Sequence, residues 1–279
     1  MHRHDAPQHD LVQILDLDEE VLAEHLAAVT GWLPVEKPPA HIVDLGSGTG
    51  AGTFALLDRF PGAHVNAVDA APEHLRRLRE KAERRGVGER VRTLGADLDQ
   101  DWPDLGRPDL VWASASLHHM ADPGRALRTV HDLLAPGGLL AVVELAGFPR
   151  FLPEYAPEDR PGLEERCHVA GERRHAERLP HRGADWGPML TAAGFALEGE
   201  RTLTVSIGAS GSEAVGRYAL AALRRIRGGV ADVLDPEDLA ALDRLLDVGG
   251  PHSVLRRDDL AVRTERTIWA ARRTASGRP

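Results

Sequence analysis

His41-Ile42-Val43-Asp44-Leu45-Gly46-Ser47-Gly48-Thr49-Gly50 is the stretch whose reading decides the fold. It opens as a short apolar run ending in an acid, becomes a glycine turn, and runs straight into an amphipathic segment at 53–60. Strand, glycine turn and helix in that order make the first unit of a nucleotide-binding α/β fold. Gly46, Gly48 and Gly50 have no Cβ, so the turn can be tight and a ligand can approach the backbone. The amides that open the helix then point at that ligand. The glycines alone leave a second reading open, because Gly46, Gly48 and Ala51 also satisfy the dinucleotide fingerprint G-x-G-x-x-A.

Downstream, the pattern repeats. A turn at Phe60-Pro61-Gly62 leads to a strand at 64–68 that ends at Asp69. Pro72 suits the first turn of a helix that stops at Gly86. A strand at 90–95 ends near Asp97, and another covers 109–113. Asp122 before Pro123 marks the start of a helix that runs to 134. Pro136-Gly137-Gly138 turns into a strand at 139–144. Strands alternating with helices predict a parallel sheet with right-handed crossovers. Upstream, 18–33 reads as one helix with Leu22, Leu26, Val29 and Leu33 on one face and Asp18 as N-cap. Residues 1–10, with His2, His4 and His9, read as a disordered terminus.

After Glu144 the rhythm breaks. Residues 147–183 hold prolines, glycines and many charges without a clear period, so they read as a long irregular insertion. A helix at 186–193 with Gly194 as C-cap precedes an alternating strand at 201–207. Helical patterns follow at 212–227 and 236–246, the second opened by Asp235 and Pro236. A last strand at 260–270 places Val262, Thr264, Arg266 and Ile268 on one side. The expected organisation is an N-terminal helical segment at 1–39, a core at 40–146, an insertion at 147–184, and the rest of the sheet at 185–279 with a helical insertion at 209–258.

The composition excludes several classes. Among 279 residues, 42% are hydrophobic and 28% charged, as in an ordinary globular chain. A formal charge of -9 with 4% aromatics argues against a nucleic-acid partner, which needs a basic field and stacking rings. Cys167 is the single cysteine, so the chain forms no internal disulfide and no cysteine zinc cluster. No apolar run approaches the roughly 18 residues of a membrane span, and no signal-peptide core follows Met1. The expectation is a soluble, cytoplasmic protein with no membrane partner.

In an open parallel sheet, ligands bind outside the carboxyl ends of the strands, where the strand order reverses. Asp44, Asp69 and Asp97 sit at three such ends, and Asp44 lies two residues before the first glycine. Val43-Asp44-Leu45-Gly46-Ser47-Gly48-Thr49-Gly50 resembles motif I of the class I S-adenosylmethionine-dependent methyltransferases. Leu133-Leu134-Ala135-Pro136-Gly137-Gly138-Leu139-Leu140 resembles that family's turn into its fifth strand. The resemblance covers about 40–145, and reaches 185–207 and 260–272 only as topology. It implies a doubly wound, mostly parallel seven-stranded sheet, Rossmann-like, with an antiparallel edge strand and helical cap insertions.

The same resemblance assigns roles by position, with S-adenosyl-L-methionine as the cofactor. Gly46, Ser47 and Gly48, with Gly50 behind them, would take its methionine part. Asp44 would orient that loop and favour the ammonium. Asp69, with Ala70 beside it, looks like the acid that accepts from both ribose hydroxyls, a task suited to an acceptor-only, bidentate carboxylate. Asp97 and Leu98 look like the adenine pair, and Ser114 like the residue after the fourth strand that lines the cofactor. His118 and His119 follow that strand and are the candidate general bases for a small-molecule oxygen or nitrogen acceptor.

Other groups have plainer readings. Cys167, His168, His175 and His181 match no metal-ligand spacing and read as a solvated, basic, mobile loop. Arg173, Arg174 and Arg178 suit either an anionic substrate or a charged surface. If 201–207 is a parallel strand with 260–270 as its antiparallel neighbour, both insertions leave the sheet at its ligand-binding end and would cap the pocket. Two alternatives stand beside methyl transfer. One is an NAD(P)-dependent oxidoreductase, which the glycines and Asp69 permit. The other is a cofactor-binding scaffold without turnover.

Overall fold

A computed structural model of the protein describes residues 6–175, 179, 181–208 and 212–274. His2, His4 and Arg178 lie outside the described residues. In chain order the elements are α1 (Ala6–Val21), α2 (Ala23–Trp32), β1 (His41–Leu45), α3 (Ala51–Arg59), β2 (His64–Asp69), α4 (Pro72–Arg84), β3 (Val91–Gly95), β4 (Leu110–Ser114), α5 (Pro123–Leu133) and β5 (Leu139–Leu145). They continue with α6 (Leu163–His175), α7 (Gly187–Ala192), β6 (Phe195–Gly208), α8 (Glu213–Val230), α9 (Pro236–Leu246) and β7 (Ala261–Arg273). The chain divides into two compact units. One comprises Ala23–Ala146, His181–Leu203 and Arg266–Pro279, and the other Met1–Leu22, Gly147–Pro180 and Thr204–Glu265.

The first unit is built on a seven-stranded sheet of order β3-β2-β1-β4-β5-β7-β6. Strands β1 to β5 pair in parallel, as expected of strands joined through helices. The chain steps outward from β1 to β3 and then returns to the other side of β1, so the strand order reverses between β1 and β4. Strand β7 pairs antiparallel with β5. Thr202 meets Thr267, and Thr204 meets Glu265, so the numbering falls on β7 as it rises on β6. Thus β7 is antiparallel to both neighbours, and β6, at the edge, runs with the first five strands.

Central strands bury both faces, which is why they read as continuous apolar runs. Ile42, Trp112, Ala141, Val143 and Ile268 share one face with Val29, Phe54, Leu57 and Leu78. Val43, Leu45, Val111, Leu140 and Val142 share the other with Leu127, Val130, Trp186 and Leu190. On β7 the alternation expected from sequence holds, with Val262, Thr264, Arg266 and Ile268 all buried.

The second unit departs from expectation in three places. Residues 6–10, read as a disordered tail, are the opening turns of α1. The single helix expected at 18–33 is two, broken at Leu22. Its apolar stripe serves two cores: Leu17 and Leu22 enter one, while Leu26, Val29 and Leu33 enter another. Asp18 accordingly lies inside α1 rather than at a helix start. Its Oδ1 accepts from the Tyr218 hydroxyl on α8 at 2.7 Å.

The third departure is the insertion after β5. Helix α6 stands where no period was legible, and Cys167 and His168 are buried in it rather than lying in a solvated loop. Polar residues camouflage this helix. The buried carboxylate of Glu164 accepts from the amide of Phe151 at 2.9 Å and from that of Leu152 at 2.7 Å. Arg160 and Arg166 both grip the buried Asp238 of α9, with Arg166 contributing two bonds at 2.7 and 2.8 Å. These charges are tolerated in the interior because each meets a partner. Burial, with Asp238 and Glu164 nearby, pushes the Cys167 thiol up to about 12, which makes it an inert core residue.

Glu164→Ala strands two buried amides and should cost about 3 kcal/mol of unfolding free energy in urea titration. Glu164→Gln keeps a carbonyl acceptor and should lose less. Equal losses would assign the effect to charge rather than to amide capture.

Candidate functional site

The turn after β1 needs glycine for conformation and for space. Gly46, Gly48 and Gly50 have φ of +68°, +53° and +101°, a region side-chain-bearing residues rarely enter. A Cβ on Gly46 would lie 2.4 Å from the Cβ of Ser116, so the turn presses against the chain leaving β4. The Ser47 amide donates to the carbonyl of Val68 at 2.9 Å, which ties the turn to β2. Gly50 then caps α3 with its left-handed conformation.

A second tight place faces it. Ala115 is the one non-glycine among the described residues with positive φ, at +50°. Its amide donates to the Val143 carbonyl at 2.8 Å, and the twist carries Ser116 against Gly46. Strain of this kind is retained where the surrounding structure demands it, most often at functional sites. The hydroxyls of Ser47, Thr49 and Ser116 are buried, and none has a hydrogen-bond partner among the described residues. Buried polar atoms are rarely left so. Three of them gathered about one glycine turn fit a polar ligand laid along its backbone.

Three acids from the sequence reading occupy different surroundings. Asp44 is 2% exposed, and its Oδ2 accepts from the Thr53 hydroxyl at 2.6 Å. It stands opposite Trp112 in the β1–β4 register. Burial raises its carboxyl to about 7, with Asp69 adding to the rise and Thr53 opposing it. Asp69, at the end of β2, accepts from the amides of Gly48 and Ala71, each at 2.8 Å, and from His74 Nδ1 at 3.1 Å. Burial pushes its carboxyl up, but the bonds from His74, Ala71 and Gly48 outweigh it and hold Asp69 below its ordinary value. Asp97 is exposed and accepts from the Asp99 amide at 3.0 Å in a tight Asx turn. That turn joins the others through the Ala96 amide, which donates to the Asp69 carbonyl at 3.2 Å.

Of the remaining residues, Ala70 is exposed, while Leu98 and Ser114 are half-buried. Leu98 takes the Trp102 indole on its carbonyl at 2.9 Å. The two histidines separate. His119 is exposed, whereas His118 is 4% exposed and its Nδ1 meets Glu144 Oε2 at 2.6 Å. Glu144, itself 3% exposed at the end of β5, also accepts from the Leu117 amide at 3.1 Å. The His118 and His119 rings lie 4.2 Å apart, centre to centre.

Sequence reasoning missed Thr49, Ser116, Glu144 and His74. Glu144 had a signal, since it ends a strand as the three selected acids do. The others had none: the contact of Ser116 with Gly46 exists only because β4 lies beside β1.

Residues 43–140 match a family model described as a methyltransferase domain. Over 146 residues the chain is 40% identical to a demethylmenaquinone methyltransferase of Thermus thermophilus, covering 52% of this chain and 64% of that relative. Over 104 residues it is 39% identical to a trans-aconitate 2-methyltransferase of Acidovorax, covering 37% of this chain and 38% of the relative. The chain therefore spans less than two thirds of either relative. The solved structure of the YcgJ protein from Bacillus subtilis superposes with a TM-score of 0.55 at 17% identity, covering 91% of this chain and 100% of that one. At that identity the likeness is one of fold.

Gly46→Ala forces a side chain onto Ser116 and into a disfavoured φ, and should cost roughly 3 kcal/mol in chemical denaturation. Adding Ser116→Gly should recover the steric part and leave the backbone part. Asp44 makes a second prediction. The folded state holds its proton up to about pH 7, whereas the unfolded chain releases it in the usual carboxylate range. Its contribution is therefore full at low pH and is lost as pH rises to about 7. Unfolding free energies at pH 5 and 7.5 should show a fall in the parent that Asp44→Asn reduces. Parallel pH profiles would show that Asp44 is ionised throughout.

Proposed function

We propose that the chain is a class I S-adenosylmethionine-dependent methyltransferase and that it methylates a small molecule at oxygen or nitrogen. The observation that carries this reading is the set of unpartnered hydroxyls of Ser47, Thr49 and Ser116 around the glycine turn, beside Asp69. S-adenosyl-L-methionine supplies a methyl group already activated on a sulfonium, so the residues of this chain chiefly bind, orient and handle a proton.

Gly46, Ser47, Gly48 and Gly50 would lie along the methionine portion, with the three hydroxyls as its polar partners. Asp44 would act from beneath, holding the start of α3 through Thr53. Asp69, next to Ala70, would take the ribose, and Asp97 with the Leu98 amide would take the adenine. Ser114 would line the same cleft. Alignment of this kind can lower a barrier by on the order of 7–11 kcal/mol in favourable cases.

For an acceptor that must lose a proton, His118 is the better base of the two histidines. Glu144 holds its Nδ1, which leaves Nε2 as the atom that takes the proton. His119, exposed beside it, would serve as the wall of the acceptor site. The relatives' names support a small acceptor, since one acts on demethylmenaquinone and the other on trans-aconitate.

Thermal unfolding with S-adenosylhomocysteine, NAD and NADP in parallel tests the reading. A ligand at a hundred times its dissociation constant stabilises by about 2.7 kcal/mol, several degrees in a chain of this size. The expected result is a rise with S-adenosylhomocysteine alone, lost in Asp69→Ala. A rise with NAD or NADP alone would replace methyl transfer with hydride transfer.

A further inference from the structure

We propose that His74 is a displaceable occupant of the Asp69 carboxylate, which it holds in the free protein and must release when the cofactor's ribose binds. The inference rests on the reading of Asp69 as the ribose acid.

An ionised carboxylate offers about four acceptor sites on its two oxygens. Asp69 has already filled three of them. Oδ2 accepts from the Gly48 amide, and Oδ1 accepts from both the Ala71 amide and His74 Nδ1. A ribose presents two adjacent hydroxyls, and bidentate capture places one on each oxygen. Oδ2 has room for one more donor. Oδ1 is full, so one of its two present donors must leave.

The geometry selects which. The Ala71 amide belongs to the backbone that caps α4, directly before Pro72. Its position is set by β2 on one side and the proline on the other. Moving it would unravel the start of the helix. His74 is a side chain on the first turn of α4, and its bond of 3.1 Å is the longest of the three. Its side chain is 14% exposed, so it has a path to solvent by rotation about its own bonds. The Gly48 amide is held by the glycine turn and engages the other oxygen.

The same geometry gives His74 a purpose in the free protein. Asp69 is mostly buried, its side chain 12% exposed, and a carboxylate there without donors would be penalised by burial. The imidazole adds a third donor to the two amides, keeping Asp69 ionised and aimed until a hydroxyl takes its place on Oδ1. The exchange costs the cofactor one hydrogen bond, so removing His74 should tighten binding. A residue that merely braced the fold would do the opposite.

Calorimetric titration with S-adenosylhomocysteine, on the full chain and on folded variants, decides between these outcomes. His74→Ala removes the ring, and His74→Phe keeps its volume without the donor. Both should bind roughly threefold to tenfold tighter than the parent, the fold-change of one hydrogen bond. Asp69→Ala is the control and should lose binding. If both His74 variants bind equally or more weakly while Asp69→Ala loses binding, His74 belongs to the cradle and the displacement proposal fails by itself. Tighter binding in His74→Ala alone would trace the gain to ring volume and likewise overturn the hydrogen-bond exchange. Normal binding by Asp69→Ala would overturn the ribose assignment and the proposal with it.

Discussion

The contact between Gly46 and Ser116 is the constraint on which the candidate site depends. Two chain segments leaving adjacent parallel strands must turn away from each other at the point where strand order reverses, and here they touch before parting. Gly46 has no side chain to keep Ser116 away, and Ala115 accepts a positive φ to bring it there. The crowding places the hydroxyls of Ser47, Thr49 and Ser116 where no atom of the described residues satisfies them. Two turns are thus pressed together where the strand order reverses, each bearing polar atoms without partners among the described residues.

Four acids at strand ends show how surroundings divide one chemical group among several tasks. Asp44 is sealed under the turn with Thr53 as its donor, so burial dominates and its proton is retained to near neutrality. Asp69 is almost as enclosed, yet two backbone amides and an imidazole keep it ionised. Asp97 is exposed and folds its own loop. Glu144 is buried against His118 and the amide of Leu117, fixing the imidazole as well as the backbone that carries it. The supply of donors, rather than depth alone, separates an acid held ionised from one that keeps its proton.

The unit containing α1, α6, α8 and α9 follows a different rule. Its interior admits Glu164 and Asp238, each held by donors from another segment. Replacing part of an apolar stripe with such pairs leaves the helix intact and conceals it from pattern reading. Leu163 and Cys167 are apolar contributions of α6 to the core, one turn apart. The intervening and following positions are Glu164 and His168, which any hydropathy count assigns to solvent. At 18–33 the opposite holds, since a continuous apolar stripe hides a change of partner at Leu22.

The sequence by itself determined the order of strands and helices from 41 to 145, because backbone periodicity and glycine turns are local properties that survive without tertiary context. It also determined which acids end strands, and hence the position of Asp44, Asp69 and Asp97 along one edge of the sheet. Tertiary structure alone decided what those groups meet. That His74 reaches Asp69, that Ser116 abuts Gly46, and that His118 rather than His119 is held by Glu144 depend on distances between separate turns. Local pattern carries no information about such distances. Tertiary structure likewise decided that 147–183 contains a helix with a buried face, because charges paired across the fold make buried positions look exposed when they are read one at a time.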